Sequence, residues 1–232
     1  MFETERRDGV LRVAREGTDW LSTGWRGGRR VADRAFILTV PADWRPDDVE
    51  CAVTEQVAAA GFDRDADDPV LLTGVHAENV RGARCGPVEA YATVGLSNPA
   101  ALPMDPPGGE LPDGELVAGT VNVLVGTTAG LSDGALANLV AVAAEAKAAT
   151  LLQAVGVPGT TSDAVVVATD PGGRAAEYSG SATRVGAAAR ACVREAVLAG
   201  LDARYGEDDP PASVTDARYG VSTDVRADVF EL

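Results

Sequence analysis

The run Thr120-Val121-Asn122-Val123-Leu124-Val125-Gly126-Thr127, followed by Ser132-Asp133-Gly134-Ala135-Leu136, decides the reading of the fold. Its valines and threonines predict a strand over Thr120 to Thr127. Ser132 or Asp133 is a good N-cap for a helix that runs to a glycine stop at Gly156. Beyond it, Ala164 to Ala168 reads as a buried strand and Ala182 to Leu201 as a second long helix. Upstream, strand-like runs cover Val10 to Ala14, Ala35 to Val40, Val70 to Val75 and Val88 to Leu96. A shorter amphipathic helix, Pro46 to Ala60, ends at Gly61. Strands come first, then strand-helix-strand-helix. That order predicts an α+β (mixed α/β) fold: one layered domain, a mixed sheet of short strands, two long buried helices and a shorter one.

The domain is expected to span 1–204, with 205–232 as an acidic C-terminal extension. Met104 to Gly114, with three Pro and three Gly, reads as an exposed loop, and Glu207 to Ser213 as a linker. Asp-Ala-Arg-Tyr-Gly occurs at 202–206 and again at 216–220, but two copies do not make a repeat architecture. Thr215 to Phe230 either adds a late strand or lies across the surface.

A chain of 232 residues with 46% hydrophobic and 24% charged residues can bury a sizeable core. It carries 20 basic and 35 acidic residues, a net charge of −15. That excess repels phosphate backbones, and the stretch Arg26, Arg29, Arg30, Arg34 is too small a basic patch to reverse it, so no nucleic-acid partner is expected. No uninterrupted apolar run reaches the ~18 residues of a membrane span. Met-Phe-Glu-Thr-Glu-Arg-Arg-Asp has no apolar signal core behind it, so a cytoplasmic protein is expected. Cys51, Cys85 and Cys192 are odd in number and show no paired spacing, which argues for a reducing compartment. His76 is the only histidine and stands at a strand end, where a hydrogen-bonded structural role is the commoner case. A multi-histidine metal site is excluded. No Gly-x-Gly-x-x-Gly or Gly-Lys-Ser/Thr motif is present, so nucleotide chemistry is unsupported.

Of the twenty basic residues, nineteen are Arg and one is Lys147. Lys147 lines up with Leu136, Val140, Ala143 and Leu151 on an apolar helix stripe. Glu145 aligns with Asn138, Ala141 and Leu152. Residues two apart point about 200° apart, so the two charges need separate partners. Lys147 is then either a desolvated base or oxyanion cation, or one half of a structural Lys-Asp bridge. The turn Val157-Pro158-Gly159-Thr160-Thr161-Ser162-Asp163 brings three hydroxyls and a carboxylate between two buried elements, as a reactive loop or as an ordinary turn.

A series of polar, small-residue motifs runs through the chain. They are Ser22-Thr23 with Gly27-Gly28, Thr93-Val94-Gly95-Leu96-Ser97-Asn98-Pro99, Gly119-Thr120-Val121-Asn122 and Leu131-Ser132-Asp133. Glu145-Ala146-Lys147, Gly159-Thr160-Thr161-Ser162-Asp163-Ala164, and Tyr178-Ser179-Gly180 with Thr183 complete it. In order and spacing over roughly 10 to 201, the series resembles the adenosylcobinamide amidohydrolases of the CbiZ type. It departs at Trp25-Arg26, where smaller or apolar residues are expected, and the tail after 202 lies outside the pattern.

The resemblance implies an amide hydrolase that removes the aminopropanol arm of adenosylcobinamide, leaving adenosylcobyric acid for corrinoid salvage. A non-catalytic corrinoid-binding protein, or a hydrolase of another amide, is the alternative. With the small-molecule corrinoid as substrate, no cofactor is expected. A divalent ion held by carboxylates such as Asp163 and Glu145 is left open. Association into a homo-oligomer is also left open.

The expected catalytic residues are Thr160 or Ser162 as nucleophile or water anchor, Asp163 as orienting carboxylate, Lys147 as base or oxyanion charge, and Glu145 as alternative base. Ser22, Thr23, Gly27, Gly28, Ser97, Asn98, Thr120 and Asn122 are expected to bind substrate. Asn122 and the Gly119-Thr120 amides would hold the departing amide. Trp20 or Trp25 would stack on the adenosyl group or corrin face, unless both are ordinary core aromatics.

An Asp-rich surface almost free of Lys fits a protein that works in concentrated salt, although GC-rich coding produces a similar bias. Salt adaptation predicts a melting temperature that keeps rising into molar potassium chloride. A thermal melt that is flat or falling between dilute and molar salt would remove that reading.

Overall fold

The computed structural model describes every residue except 42, 112–119, 207, 209, 212 and 232. The last part of the expected Met104 to Gly114 loop, Gly119, and parts of the expected Glu207 to Ser213 linker therefore lie outside the described residues. The elements, in chain order, are β1 (Glu3–Arg7), β2 (Val10–Ser22), β3 (Gly28–Thr39), α1 (Val49–Ala59), β4 (Val70–Thr73), β5 (Arg81–Cys85) and β6 (Val88–Val94). They continue with β7 (Ala100–Ala101), β8 (Val121–Leu131), α2 (Asp133–Val155), β9 (Val165–Ala176), α3 (Arg184–Tyr205) and β10 (Val221–Ser222).

The caps follow local chemistry. Ser132 Oγ accepts from the Ala135 amide at the start of α2, Asp48 does the same for Cys51 in α1, and Thr183 for Gly186 in α3. Gly156 closes α2 in the left-handed conformation (φ 75°).

The main sheet runs β4-β3-β2-β9-β8-β6-β5, with β1 on β2. The β3/β4 and β8/β9 pairs are parallel and the rest antiparallel, so the expected mixed sheet is present. Several strands are much longer than expected. β3 begins well before its apolar part, in a half where polar residues alternate and cross-strand pairing holds them extended, while β2 runs on past exposed Glu16-Gly17 into a second buried stretch, Thr18-Asp19-Trp20. β1 and β5, made of polar and small residues, gave no apolar signal at all.

β2 changes partner along its length. Its start pairs with β1 and its end with β9, and the register against β3 shifts between Ala14 and Thr18. The sheet folds over there. Trp20, Leu124, Val166 and Ala168 from one half meet Leu11, Val13, Ile37 and Leu71 from the other in a single buried cluster. Outside one half, Val121, Val123, Val125, Val165 and Val167 pack against Leu136, Leu139, Ala143, Ala189 and Val193 of α2 and α3. Outside the other, Val10, Phe36 and Val70 pack against Val53 and Val57 of α1. The layers are thus helix, sheet, sheet, helix. β8 over Val121–Thr127 and β9 over Val165–Thr169 are buried on both faces, which explains the nearly continuous apolar runs there.

By length and composition, α2 could cross a membrane. In the fold it is a core helix, with Leu139 and Leu151 wholly buried, each contributing about 1.5–3 kcal/mol. Cys51, Cys85 and Cys192 are free thiols, the first two exposed and the last buried.

The N-terminus is pinned across the fold. The Phe2 amide donates to buried Glu89 (2.9 Å), which also takes the Arg84 guanidinium and the Tyr91 hydroxyl. Burial, with Glu89 nearby, pushes the Tyr91 phenol well above its ordinary range. The Phe2 ring covers Gly126, where a Cβ would lie 2.3 Å from it. Gly126 therefore marks a close approach within β8, a strand that runs on past the expected end at Thr127 to Leu131. Gly126→Ala should lower unfolding free energy by about 1–3 kcal/mol in denaturant melts. Combined with Phe2→Ala, the loss should be less than additive, because the clashing ring is gone.

Candidate active site

The turn 157–163 leaves α2 at Gly156 and feeds β9, which lies parallel to β8. Its carboxylate, Asp163, is the hub. Oδ1 accepts from the Val121 amide (2.8 Å) and the Thr160 hydroxyl, and Oδ2 from the Thr160 amide (3.0 Å) and Lys147 Nζ. Lys147 and Asp163 side chains are only 10% and 11% exposed. The lysine on the apolar stripe has thus found a carboxylate, and four donors fill the four lone-pair sites of Asp163. Gly159 is fixed by this pair, since a Cβ there would sit 2.3 Å from Asp163 Oδ2 and 3.0 Å from Lys147 Nζ.

Beside Asp163 opens a cleft of about 510 Å³, lined by Thr23, Gly24, Trp25, Val40, Trp44, Arg45, Leu71, Leu72, Thr120, Asn122, Thr161, Ser162, Asp163 and Ala164. It lies where the two sheet halves come together. Asn122 closes that seam: its Nδ2 donates to Leu72 O of β4 (2.9 Å), while its Oδ1 accepts from the Ala164 amide (3.1 Å) and the Thr120 hydroxyl (2.7 Å). Asn98 is wholly buried behind the turn and donates to Thr161 Oγ1 (2.7 Å) and Ser162 Oγ (3.2 Å). Thr23 ties the end of β2 to β9 through its amide and its Oγ1, each 2.9 Å from Val165.

Of the residues singled out from sequence, Thr23, Thr120, Asn122, Ser162 and Asp163 line the cleft, while Lys147 and Thr160 stand behind Asp163. Ser22 and Gly27 shape the turn that carries Trp25. Ser22 Oγ accepts the Gly24 amide (3.1 Å), and a Cβ on Gly27 would meet Ser22 O at 2.6 Å. Gly28 leaves this turn at φ 111°. Ser97 is exposed and away from the cleft, with its carbonyl taken by Tyr219.

Glu145 is not brought to the others. It lies on the outer face of α2, 66% exposed, paired with Arg190 of α3. Asp163 and Glu145 thus face opposite sides of the helix and cannot share an ion. Among the described residues, no three His, Cys, Asp or Glu side chains cluster in a way that could hold a metal. Trp20 is a core residue, wholly buried, with Nε1 donating to Ala32 O (2.9 Å), so stacking on substrate falls to Trp25 alone of the two. His76 is exposed at the start of a short 3-10 turn and does not line the cleft. Sequence reasoning missed Trp44 and Arg45, which reach the cleft from the connection after β3 and carry no local motif.

The CbiZ family model, described as adenosylcobinamide amidohydrolase, matches residues 1–209. The chain belongs to that family. It is 63% identical over 231 residues to an adenosylcobinamide amidohydrolase of Halobacterium salinarum, covering 99% of both chains. Another from Methanosarcina mazei is 29% identical over 194 residues, 79% of this chain and 90% of that one. Among solved structures, a Burkholderia sp. beta-aminopeptidase superposes with a TM-score of 0.44 and 14% identity, over 85% of this chain and 79% of its own.

The buried pair yields a test of its own. Lys147→Met should strand the Asp163 carboxylate and cost about 3–5 kcal/mol in denaturant melts. Adding Asp163→Asn should recover about 1–3 kcal/mol of that loss. Additive effects would show that the two side chains do not depend on each other.

Proposed function

We propose that the cleft beside Asp163 is where this chain, an amidohydrolase by family, cuts the amide joining the aminopropanol arm to adenosylcobinamide. The observation that carries this reading is the meeting of Ser162, Thr120 and the anchored Asp163 on one wall of a 510 Å³ cleft. A cleft of that size suits the arm and its amide, with the corrin disc resting outside on the rim. Trp25 and Trp44 line the cleft and offer flat faces to the adenosyl group or the corrin edge. Neutral hydroxyls and amides suit a substrate edged with neutral amides.

In this reading Ser162, or a water held on it, attacks the carbonyl carbon. Water supplies OH to that carbon and a proton to the leaving nitrogen, giving a carboxylate and free aminopropanol. The Asp163–Lys147 pair is the ionisable unit beside the attacking oxygen and receives its proton. One donor to Asp163 must let go for this, and the Thr160 hydroxyl can do so by rotating about a single bond. Thr120 and Asn122 face the departing amide. Lys147 acts through Asp163, and Glu145 takes no part. The scheme needs no resident metal or organic cofactor, and the free thiols suit a cytosolic setting.

Incubation with adenosylcobinamide in molar potassium chloride containing EDTA, followed by mass measurement of the corrinoid, tests this directly. The expected product has lost aminopropanol and gained a carboxyl group. Ser162→Ala should lower kcat on the order of 100-fold or more if the serine attacks, and far less if it only anchors water. A corrinoid of unchanged mass whose absorption spectrum still shifts on binding would favour a binding protein instead.

A further inference from the structure

The C-terminal segment after α3 contributes little to the core: Val221 and Phe230 are 42% and 79% exposed. Ordering such a segment costs conformational entropy that apolar burial does not offset. Its described order comes instead from the backbone. The amides of Tyr219, Val221 and Thr223 donate to the carbonyls of Ser97 (2.9 Å), Pro99 (2.9 Å) and Ala101 (3.0 Å), forming the parallel β10/β7 pair. Arg226 adds bonds to Pro106 O and Asp105.

The opposite edge of the same stretch holds the turn that carries Asp163. The Ala100 amide donates to Gly159 O (2.9 Å), the Thr161 amide to Asn98 O (3.1 Å), and Pro99 bridges Thr160. Residues 97–101 are therefore a middle strand, with the tail on one side and the reactive turn on the other. The tail, residues 210–232, lies beyond the segment that the family model matches.

We propose that the tail is a positioning strap: by pairing with 97–101 it holds the 159–163 turn, and with it Ser162 and Asp163, in register with the cleft. The proposal rests on the assignment of the cleft as the reaction site. Strand pairing transmits position well, because removing one edge partner loosens the carbonyls and amides of the next strand as a unit. Thr23, by contrast, is held to the cleft through Val165 of β9.

The test uses the full chain with Val221→Pro and Thr223→Pro, which remove two of the three backbone donors from the tail to 97–101, both at exposed positions. Val221→Ala with Thr223→Ala, which keeps both amides, serves as the control. Expected for the proline variant are a melting temperature close to wild type and exchange of the Thr160 and Thr161 amides about 10-fold faster. Its kcat on adenosylcobinamide should fall on the order of 10-fold with KM nearly unchanged. The alanine variant should behave as wild type in all three. Unchanged exchange and kcat in the proline variant would overturn the strap. So would a lowered melt with full activity per folded molecule, since the tail would then serve stability alone. If the wild type leaves adenosylcobinamide uncut, the assignment of function fails, and the exchange rates still decide whether the tail holds the turn.

Discussion

Lys147 and Asp163 form a buried ion pair between the C-terminal half of α2 and the turn into β9, and much of the functional geometry depends on it. The lysine projects from a helix that is otherwise apolar inward, so it needs an opposite charge nearby. Asp163 supplies that charge, but its two oxygens also gather the Val121 amide and two groups of Thr160. One carboxylate thereby fastens three elements: the C-terminal half of α2, the start of β8 and the turn into β9. The requirement for glycine at 159 follows from how closely the pair approaches the backbone.

The same constraint shapes the chemistry available. A carboxylate whose four lone-pair sites are filled is first an anchor, and it offers an oxygen to a proton only when the Thr160 hydroxyl turns away. Ser162 and Thr161 are then held at the cleft wall by a rigid frame, with Asn98 bonded to both hydroxyls from behind. Amide hydrolysis gains from such pre-positioning, because a misplacement near 1 Å can cost about 100-fold in rate. The seam closed by Asn122 between β8 and β4 extends the frame to the other half of the sheet, where Trp44 and Arg45 approach.

What was legible in the sequence was what local chemistry dictates. Ser132, Gly156 and the valines of β8 set the strand-helix unit, and the single lysine on an apolar stripe announced a buried charge. The length of β2 and β3 was not legible, because the first half of β3 is polar and β2 is interrupted by exposed Glu16-Gly17, and both owe their extension to partners distant in sequence. Nor was the folding-over of the sheet, which depends on a register shift between Ala14 and Thr18 that no residue pattern marks. In the site, Asp163 and Ser162 were visible through turn chemistry. Glu145 drew attention by sharing a motif with Lys147, yet helical geometry sends it to the outer face and to Arg190. Trp44 and Arg45 reach the cleft only through the tertiary path of the chain after β3.

The central claim is that the Asp163 turn is the place of amide cleavage. Its most direct test is kcat/KM of Asp163→Asn on adenosylcobinamide in molar potassium chloride, normalised to folded protein. The account predicts a loss of at least about 100-fold, since the turn loses both its charge partner for Lys147 and its proton acceptor. A folded Asp163→Asn protein that turns over at near the wild-type rate would contradict it.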